Sequence, residues 1–147
     1  MATYSFLDVS ASIVGPGGAI ALGSGSGAAE EGISVEYTTE ADTLTIGADG
    51  TPMHGLNADK SGTITVRLLK TSPTNQQLMA MFNVQRASSS LFGNNVITII
   101  ATHGGDVTTA QSVAFKQKAG LTYAKDAGMN EWAFSCGKID SALGGDY

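Results

Sequence analysis

The chain has 147 residues, only 14% of them charged, and its formal net charge is −5. This length is enough for one domain with a substantial core. The acidic balance argues against nucleic-acid binding by phosphate neutralisation, which needs clustered Lys and Arg. Because charge is scarce, hydroxyl side chains must build much of the polar surface, as is common on β-sheets. We therefore expect a single domain, residues 1–147, without a specific nucleic-acid site.

The composition and the segment pattern also indicate the cellular compartment of the protein. The single cysteine, Cys136, excludes an intrachain disulfide and fits assembly in a reducing compartment. The N-terminal residues lack the basic segment and apolar run of a signal peptide. The longest apolar block, 96–101, is far shorter than the roughly 20 residues of a membrane helix. We expect neither a signal peptide nor a membrane span.

The N-terminal quarter combines a strand pattern with glycine-rich breaks. Residues 4–14 alternate partly and end at the breaker Gly-Pro-Gly-Gly of residues 15–18. Residues 19–32 are small and glycine-rich, which predicts a flexible loop. Residues 1–8 are expected to form an N-terminal arm.

The next segment indicates a β-hairpin. Residues 33–38 and 43–46 alternate apolar and polar side chains on either side of a short turn at Glu40–Ala41. Residues 49–60 are then expected to form a second loop.

Residues 60–75 carry the clearest pattern of the chain. Apolar and polar side chains alternate strictly from 63 to 68, which predicts a strand with one dry and one wet face. Ser72 and Pro73 favour a helix start, so a helix is predicted over 73 to about 87. Its apolar side chains Leu78, Met81 and Phe82 would dock on the sheet.

Three later runs, 96–102, 108–117 and 132–139, are also predicted as strands. About seven strands and one helix indicate a mainly β fold, a β-sandwich or barrel with one flanking α-helix.

Catalytic, cofactor and metal motifs are missing from the sequence. The Gly23–Gly27 run lacks the continuation of a dinucleotide or phosphate loop, and Glu30 and Glu31 would repel phosphate. The histidines and the cysteine (His54, His103, Cys136) have no partner at a zinc-like spacing. We therefore expect no enzyme, no cofactor and no metal site.

Trp132, the only tryptophan, has two interpretations. It anchors the core at the start of the last strand, or it contacts another subunit, since tryptophan is enriched at interface centres.

Several segments, in chain order, resemble the tail tube proteins of contractile-tailed bacteriophages: YSFLDV at 4–9, IVGPGG at 13–18, AAEEGI at 28–33, residues 60–75, TYAKDAGMNEW at 122–132 and GKID at 137–140. The resemblance implies a virion structural protein whose hexameric rings stack into a hollow tube inside a contractile sheath. DNA would pass through it, without specific binding, during genome ejection.

The resemblance also implies partners and a location. The chain would bind itself and the tail sheath, baseplate and terminator proteins, and it would be assembled in the host cytoplasm and reside in the virion tail. The tube of a related contractile injection or secretion device is the alternative, and a soluble ligand-binding β-sandwich is the less favoured one.

The resemblance places a paired-strand sheet on the inside of the ring. The expected channel-facing residues are Ser34, Glu36, Thr38, Thr43, Thr45, Thr63, Thr65 and Arg67. The opposite, dry face would hold Ile33, Val35, Leu44, Ile46, Ile64, Val66 and Leu68, because a register slip would bury the hydroxyls. Six copies at −5 each would give a ring of −30, in which Glu36 repels phosphates and Arg67 pairs with a nearby carboxylate.

Subunit contacts are expected from segments that make poor core material yet carry the family-like sequence. The expected contact residues are Tyr4, Phe6, Gly23, Gly25, Gly27, Glu30, Glu31 and Trp132.

Overall fold

The computed structural model describes residues 3–23, 28–117, 120–121, 123–125 and 128–145, with the backbone alone at 28–31. A short 3-10 turn, Phe6–Asp8, precedes the first strand. The strands and the helix are, in chain order, β1 (Val9–Gly15), β2 (Gly18–Ala21), β3 (Ala28–Tyr37), β4 (Asp42–Ile46), β5 (Pro52–Leu56), β6 (Gly62–Leu69), α1 (Thr74–Arg86), β7 (Asn95–Ala101), β8 (Asp106–Gln117) and β9 (Met129–Ala142).

Seven of the strands form one antiparallel sheet in the order β2-β1-β7-β8-β9-β6-β3. Strands β4 and β5 form a separate two-stranded sheet. The mainly β fold with a single helix, predicted from the sequence, is confirmed in the described part of the chain.

The large sheet curls around its own apolar face. One hydrophobic cluster contains Ile13 of β1, Ile97 of β7 and Val66 of β6, although β1 and β6 are separated by three strands in the sheet. These three side chains are at most 1% exposed. Full burial of such a side chain contributes about 1.5–3 kcal/mol, so this cluster is the main source of stability.

A bulge bends the sheet in the middle of β8. Between its pairings with β7, strand β8 contains one residue more than its partner, and Ser112 there has a φ of 53°. Consequently the buried residues Ala110 and Val113 of β8 are three positions apart across the bulge, instead of the usual two. Strand β9 shows the same change between Cys136 and Ile139, which are both buried.

Helix α1 lies against one end of the curled sheet. It spans Thr74–Arg86, as predicted to within a residue at each end, and the Ser72 hydroxyl accepts a hydrogen bond from the Thr74 N–H at 3.3 Å. Leu78, Met81 and Phe82 are buried. The Phe82 ring meets Phe115 of β8 edge-on, with 5.5 Å between centroids.

A buried amide pair fixes the end of the helix to the sheet. Gln85 Nε2 donates to Asn95 Oδ1 at 2.6 Å, and Asn95 Nδ2 donates back to Gln85 Oε1 at 2.8 Å. The remaining donors bond the carbonyls of Pro16 and Val113. A Cβ at Gly15 would overlap Asn95 Oδ1, so only glycine fits beside the pair.

The prediction that residues 33–38 and 43–46 pair as a hairpin is wrong. Strand β3 pairs with β6, where Ser34 faces Thr65, and β4 pairs with β5, where Leu44 faces His54. Strand β5 lies in the segment that was expected to be a loop, because Pro52 hides the strand pattern there.

The predicted loop of residues 19–32 is also shorter than expected. Strand β2 extends to Ala21 and β3 begins at Ala28, so both ends of the segment belong to strands. Gly25 and Gly27 lie outside the described residues. The expected N-terminal arm, about 1–8, is attached to β7 at its end, because the Asp8 carbonyl accepts from the Thr102 N–H at 2.9 Å.

Candidate functional surfaces

A polar face covers three neighbouring strands on the outside of the curled sheet. The register aligns Ser34 with Thr65 and Glu36 with Thr63 across β3 and β6. Strand β9 continues the face, since Ser135 lies opposite Thr63. These side chains are half-buried or exposed, and most of them carry hydroxyl groups.

The single arginine of this face is neutralised. Arg67 Nε lies 3.6 Å from Glu131 Oε2 of β9, and Arg67 Nη1 donates to Ser34 Oγ at 3.0 Å. The Arg67 side chain is 22% exposed, so the ion pair is only partly screened by solvent. The expectation that Arg67 pairs with a carboxylate is confirmed.

The opposite face of β3 and β6 packs away from solvent. Five of the seven residues predicted for this face lie on it. Ile64, Val66 and Leu68 are fully buried, and Ile33 and Val35 pack against the core. The same expectation for Leu44 and Ile46 is wrong, because β4 belongs to the other sheet.

Both faces of the β4–β5 hairpin carry apolar and polar side chains. Leu44, Ile46 and Leu56 share one face and are 55%, 56% and 90% exposed. Thr43, Thr45 and Met53 occupy the other face, so the two threonines are separate from the hydroxyl groups of β3 and β6. On the same face as Leu44, His54 Nδ1 lies 2.9 Å from Asp42 Oδ2, and both side chains are exposed.

The base of the hairpin is held by an aspartate turn. Asp59 accepts hydrogen bonds from the Ser61 N–H at 2.8 Å and from the Thr39 hydroxyl at 2.6 Å. Hydrogen bonding from Ser61, and then from Thr39, lowers the pKa of Asp59 to about 2. Thr38, just after β3, bonds the Ser61 carbonyl through its N–H at 3.1 Å. The hairpin therefore leaves the large sheet at a fixed point.

The expected subunit-contact residues lie in different environments. Tyr4 is 67% exposed, whereas Phe6 is half-buried and lines a cavity of about 340 Å³ with Ile33 and Leu143. Gly23 is buried against the backbone of β1. Glu30 and Glu31 belong to β3, but their side chains are outside the described part, as are Gly25 and Gly27.

Trp132 is a core residue, which corrects its assignment as a contact residue. Its side chain is 1% exposed, its Nε1–H donates to Asn75 Oδ1 at 3.0 Å, and its ring packs edge-on against Phe115. Almost no surface remains for a neighbouring subunit.

Within the described residues, no group of three or more His, Cys, Asp or Glu side chains comes together to hold a metal ion. Cys136 is buried, and burial raises the pKa of its thiol to about 11, which suppresses nucleophilic reactivity at neutral pH. The absence of catalysis stays a prediction. No helix in the described ranges is long and apolar enough to cross a membrane.

A protein-family comparison identifies the family of this chain. The model of the bacteriophage PhiTE tail tube protein family matches residues 1–144. The chain belongs to this tail tube family. No curated protein is similar enough in sequence to match.

Solved structures share the fold of this tail tube protein. A chain from the tail of an empty GTA particle with C6 symmetry has a TM-score of 0.60 at 12% identity, and covers 99% of this chain and 100% of its own. A chain from the extended sheath–tube complex of the extracellular contractile injection system PVC has a TM-score of 0.57 at 12% identity, with 90% and 88% covered. The tube-terminating cap of the anti-feeding prophage has a TM-score of 0.56 at 8% identity, with 97% and 94% covered. At these identities the likeness shows the fold alone.

Sequence reasoning missed two features of the tail tube protein. Glu131, the partner of Arg67, could be found only from the register of β9 on β6. The exposed hairpin face was missed because β5 was not recognised. Its sequence carries no clear strand signal, because His54 and Leu56 share one face while Met53 and Gly55 share the other.

Proposed function

We propose that this tail tube protein forms homohexameric rings that stack into the inner tube of a phage tail or a related contractile injection device. The tube is a conduit through which DNA passes during genome ejection. The observation that carries the proposal is the long open edge of the seven-stranded sheet in a member of a tail tube family. The C6 symmetry of the similar GTA tail supports six subunits.

The sheet edges support ring closure. Strand β3, ten residues long, lies at one edge, and β2 lies at the other. An exposed edge strand pairs readily with further chains unless it is covered. Joining the β3 edges to neighbouring subunits in a closed ring covers them.

The polar face of β3, β6 and β9 then lines the channel. It presents Ser34, Glu36, Thr63, Thr65 and Arg67, with Thr38 at its end. Among the side chains that the structure describes, Glu36 and Glu131 outweigh Arg67 by one negative charge on this face. An acidic, hydroxyl-rich wall repels phosphate groups and lets DNA slide without sticking. Thr43 and Thr45 are left out because they lie on the separate hairpin.

Contacts between neighbouring subunits in this proposal come from the N-terminal arm and the glycine-rich segment. They comprise Tyr4, Phe6, Gly23, Gly25, Gly27, Glu30 and Glu31. Deleting residues 24–27, which spares Gly23 against β1, is expected to leave a folded monomer that fails to polymerise. Normal tubes from this deletion would contradict that assignment.

The same proposal gives the partners and the site of assembly. Sheath and terminator proteins are supported by the sheath–tube and terminator complexes of the PVC system, whose chains share this fold. A baseplate protein would seat the first ring. Assembly takes place in the host cytoplasm, where the free thiol of Cys136 stays reduced.

Electron microscopy of the purified protein tests the assembly. Rings or tubes about 10 nm wide, as expected for six domains of this size around a channel, would support the proposal. Class averages without six-fold symmetry, or a strictly monomeric protein at every concentration, would contradict it.

Reversing the charge of Glu36 tests the channel face. Glu36→Lys is expected to allow tube assembly but to slow DNA passage, more strongly at low salt, because a lysine attracts phosphates. Gln76→Lys on the exposed side of α1 is the control and should leave DNA passage unchanged. An assembled tube with Glu36 and Thr65 on its outer surface would refute the assignment.

A further inference from the structure

The Arg67 side chain is held from both sides of its own strand. Strand β6, which carries Arg67, lies between β9 and β3 in the sheet. Arg67 Nε lies 3.6 Å from Glu131 Oε2 of β9, and Arg67 Nη1 donates to Ser34 Oγ of β3 at 3.0 Å. With only 22% of the side chain exposed, the guanidinium lies across the sheet rather than pointing away from it.

The two carboxylates of the polar face have different surroundings. Glu131 lies directly opposite Arg67 in the register of β9 on β6. Glu36 lies on β3 opposite Thr63, and its side chain is exposed. None of the ion pairs found among the described side chains involves Glu36. Glu131 is therefore engaged with the arginine, whereas Glu36 supplies a free negative charge.

A guanidinium released from these contacts would bind DNA. Its planar fork of N–H donors matches a phosphate group and bonds it in a bidentate manner. In the proposed tube every ring repeats the same arginine six times along one DNA molecule. Weak contacts that act together on one molecule multiply in strength. Even a small attraction at each subunit would then retard the DNA.

Net charge alone does not prevent such binding. Exposed charges farther apart than about 10 Å are largely screened at 0.1 M salt, so a phosphate near the wall responds mainly to the groups beside it. The direction and the free donors of the guanidinium then decide whether it binds. An exposed ion pair is weak by itself. The second bond, from Arg67 to Ser34 on the opposite side, restricts the guanidinium further.

We propose that Glu131 and Ser34 are positioning residues, which hold the Arg67 guanidinium against the channel wall and away from the phosphates of passing DNA. These three residues are called the Arg67 clamp below. This role rests on the channel face proposed above and adds a requirement to it. Low affinity for DNA depends on how Arg67 is held as well as on the number of negative charges.

Two substitutions of equal charge and shape separate the clamp from net charge. Glu131→Gln and Glu36→Gln each remove one negative charge from the polar face, but only Glu131→Gln removes the ion pair. Tubes of each full-length variant are mixed with a short fluorescent DNA duplex at a series of salt concentrations, and the DNA that sediments with the tubes is measured.

The Glu131→Gln tubes are expected to retain several times more DNA than the Glu36→Gln tubes at low salt. The slope of log affinity against log salt concentration should steepen by about 0.9 for each arginine that reaches a phosphate. Equal retention and equal slopes in the two variants would overturn the positioning role, because net charge would then explain the whole effect.

Two further variants test the other members of the clamp. Ser34→Ala changes no charge and leaves the ion pair, so it should raise DNA retention in the same direction but by less. Arg67→Gln/Glu131→Gln has the same net charge as the wild type and should return retention to the wild-type level. Retention that stays high in this double variant would show that another group holds the DNA, and would overturn the proposal.

Nitrogen-15 NMR of the unassembled full chain tests the clamp without DNA. The chain has two arginines, so Arg86 is an internal reference for the side-chain Nε–H signal of Arg67. This proton should exchange slowly with water in the wild type and in Glu36→Gln, and faster in Glu131→Gln. Equal exchange in the wild type and Glu131→Gln would overturn the clamp.

The two measurements also separate this proposal from the proposed function. If proton exchange changes as expected but no variant alters DNA retention, the polar face does not meet DNA. That result contradicts the proposed channel face, and with it the role of the clamp in DNA passage. If Glu36→Gln alone raises retention, the channel face stands and the positioning role is overturned.

Discussion

Gln85 and Asn95 form the most demanding polar contact of the core. Both side chains are 0% exposed, and together they bond each other and two backbone carbonyls. In the described part of the chain, no buried side-chain nitrogen or oxygen lacks a hydrogen-bond partner. A buried amide that loses its hydrogen-bond partner keeps the full free-energy cost of desolvation. Replacing only one residue of this pair is therefore destabilising.

Removing one member of the pair is expected to destabilise the subunit. Gln85→Met keeps the volume but leaves Asn95 Oδ1 and the Pro16 carbonyl without the hydrogen bonds that Gln85 donates, at a cost of about 1–3 kcal/mol or more. Urea denaturation measures the loss. Gln76→Met, on the exposed side of the same helix, is the control and should change the unfolding free energy little. Equal stability of the two variants would contradict this reading.

Residue patterns could anticipate only some of the polar contacts. Alternation along 63–68 placed Arg67 on the wet face and suggested a carboxylate partner. The identity of that partner, Glu131, depends on how β9 is aligned with β6, and alignment between distant segments is a property of the folded sheet. Trp132 was left open for the same reason, because its burial depends on Phe115 and Asn75 from other elements.

Among the elements, the helix and β6 were predicted well because their signals are local. The Ser72–Pro73 start and the apolar spacing of α1 are contained in the segment itself. The hairpin of β4 and β5 was missed because Pro52 and Gly55 weaken its strand pattern. We predicted that β3 pairs with β4, its neighbour in sequence. In the structure β3 pairs with β6 instead, over a longer register.

The helix is expected to stabilise the subunit through Phe82. This residue is 6% exposed and contacts Phe115, so Phe82→Ala should cost about 3–5 kcal/mol. Val84→Ala, on the same helix but at a side chain that is 47% exposed, should cost far less. Thermal unfolding of both variants compares them, and an unchanged melting temperature for Phe82→Ala would show that the helix does not pack there.

At the scale of the whole molecule, protection from solvent should be uneven and should change on assembly. Amides of β6, β8 and β9 lie in the middle of the sheet, so they should exchange hydrogen slowly in the monomer. Amides of β4, β5 and the edge strand β3 should exchange faster.

Tube formation is expected to slow exchange in β3, because the proposed ring covers this edge strand. Hydrogen exchange followed by mass spectrometry on monomers and tubes measures the difference. Amides of β3 that exchange equally fast in both states would contradict the proposed ring closure.

The bulge at Ser112 has a consequence for how the subunit unfolds. Strands β8 and β9 bury side chains on both sides of it, Ala110 and Ile139 on one and Phe115 and Phe134 on the other. Neither half of the curled sheet therefore has a complete core of its own. Unfolding of either half removes strands that complete the core of the other half. We therefore expect the subunit to unfold in a single cooperative transition. A subunit built in this way has no half-folded state to occupy while it waits for its neighbours.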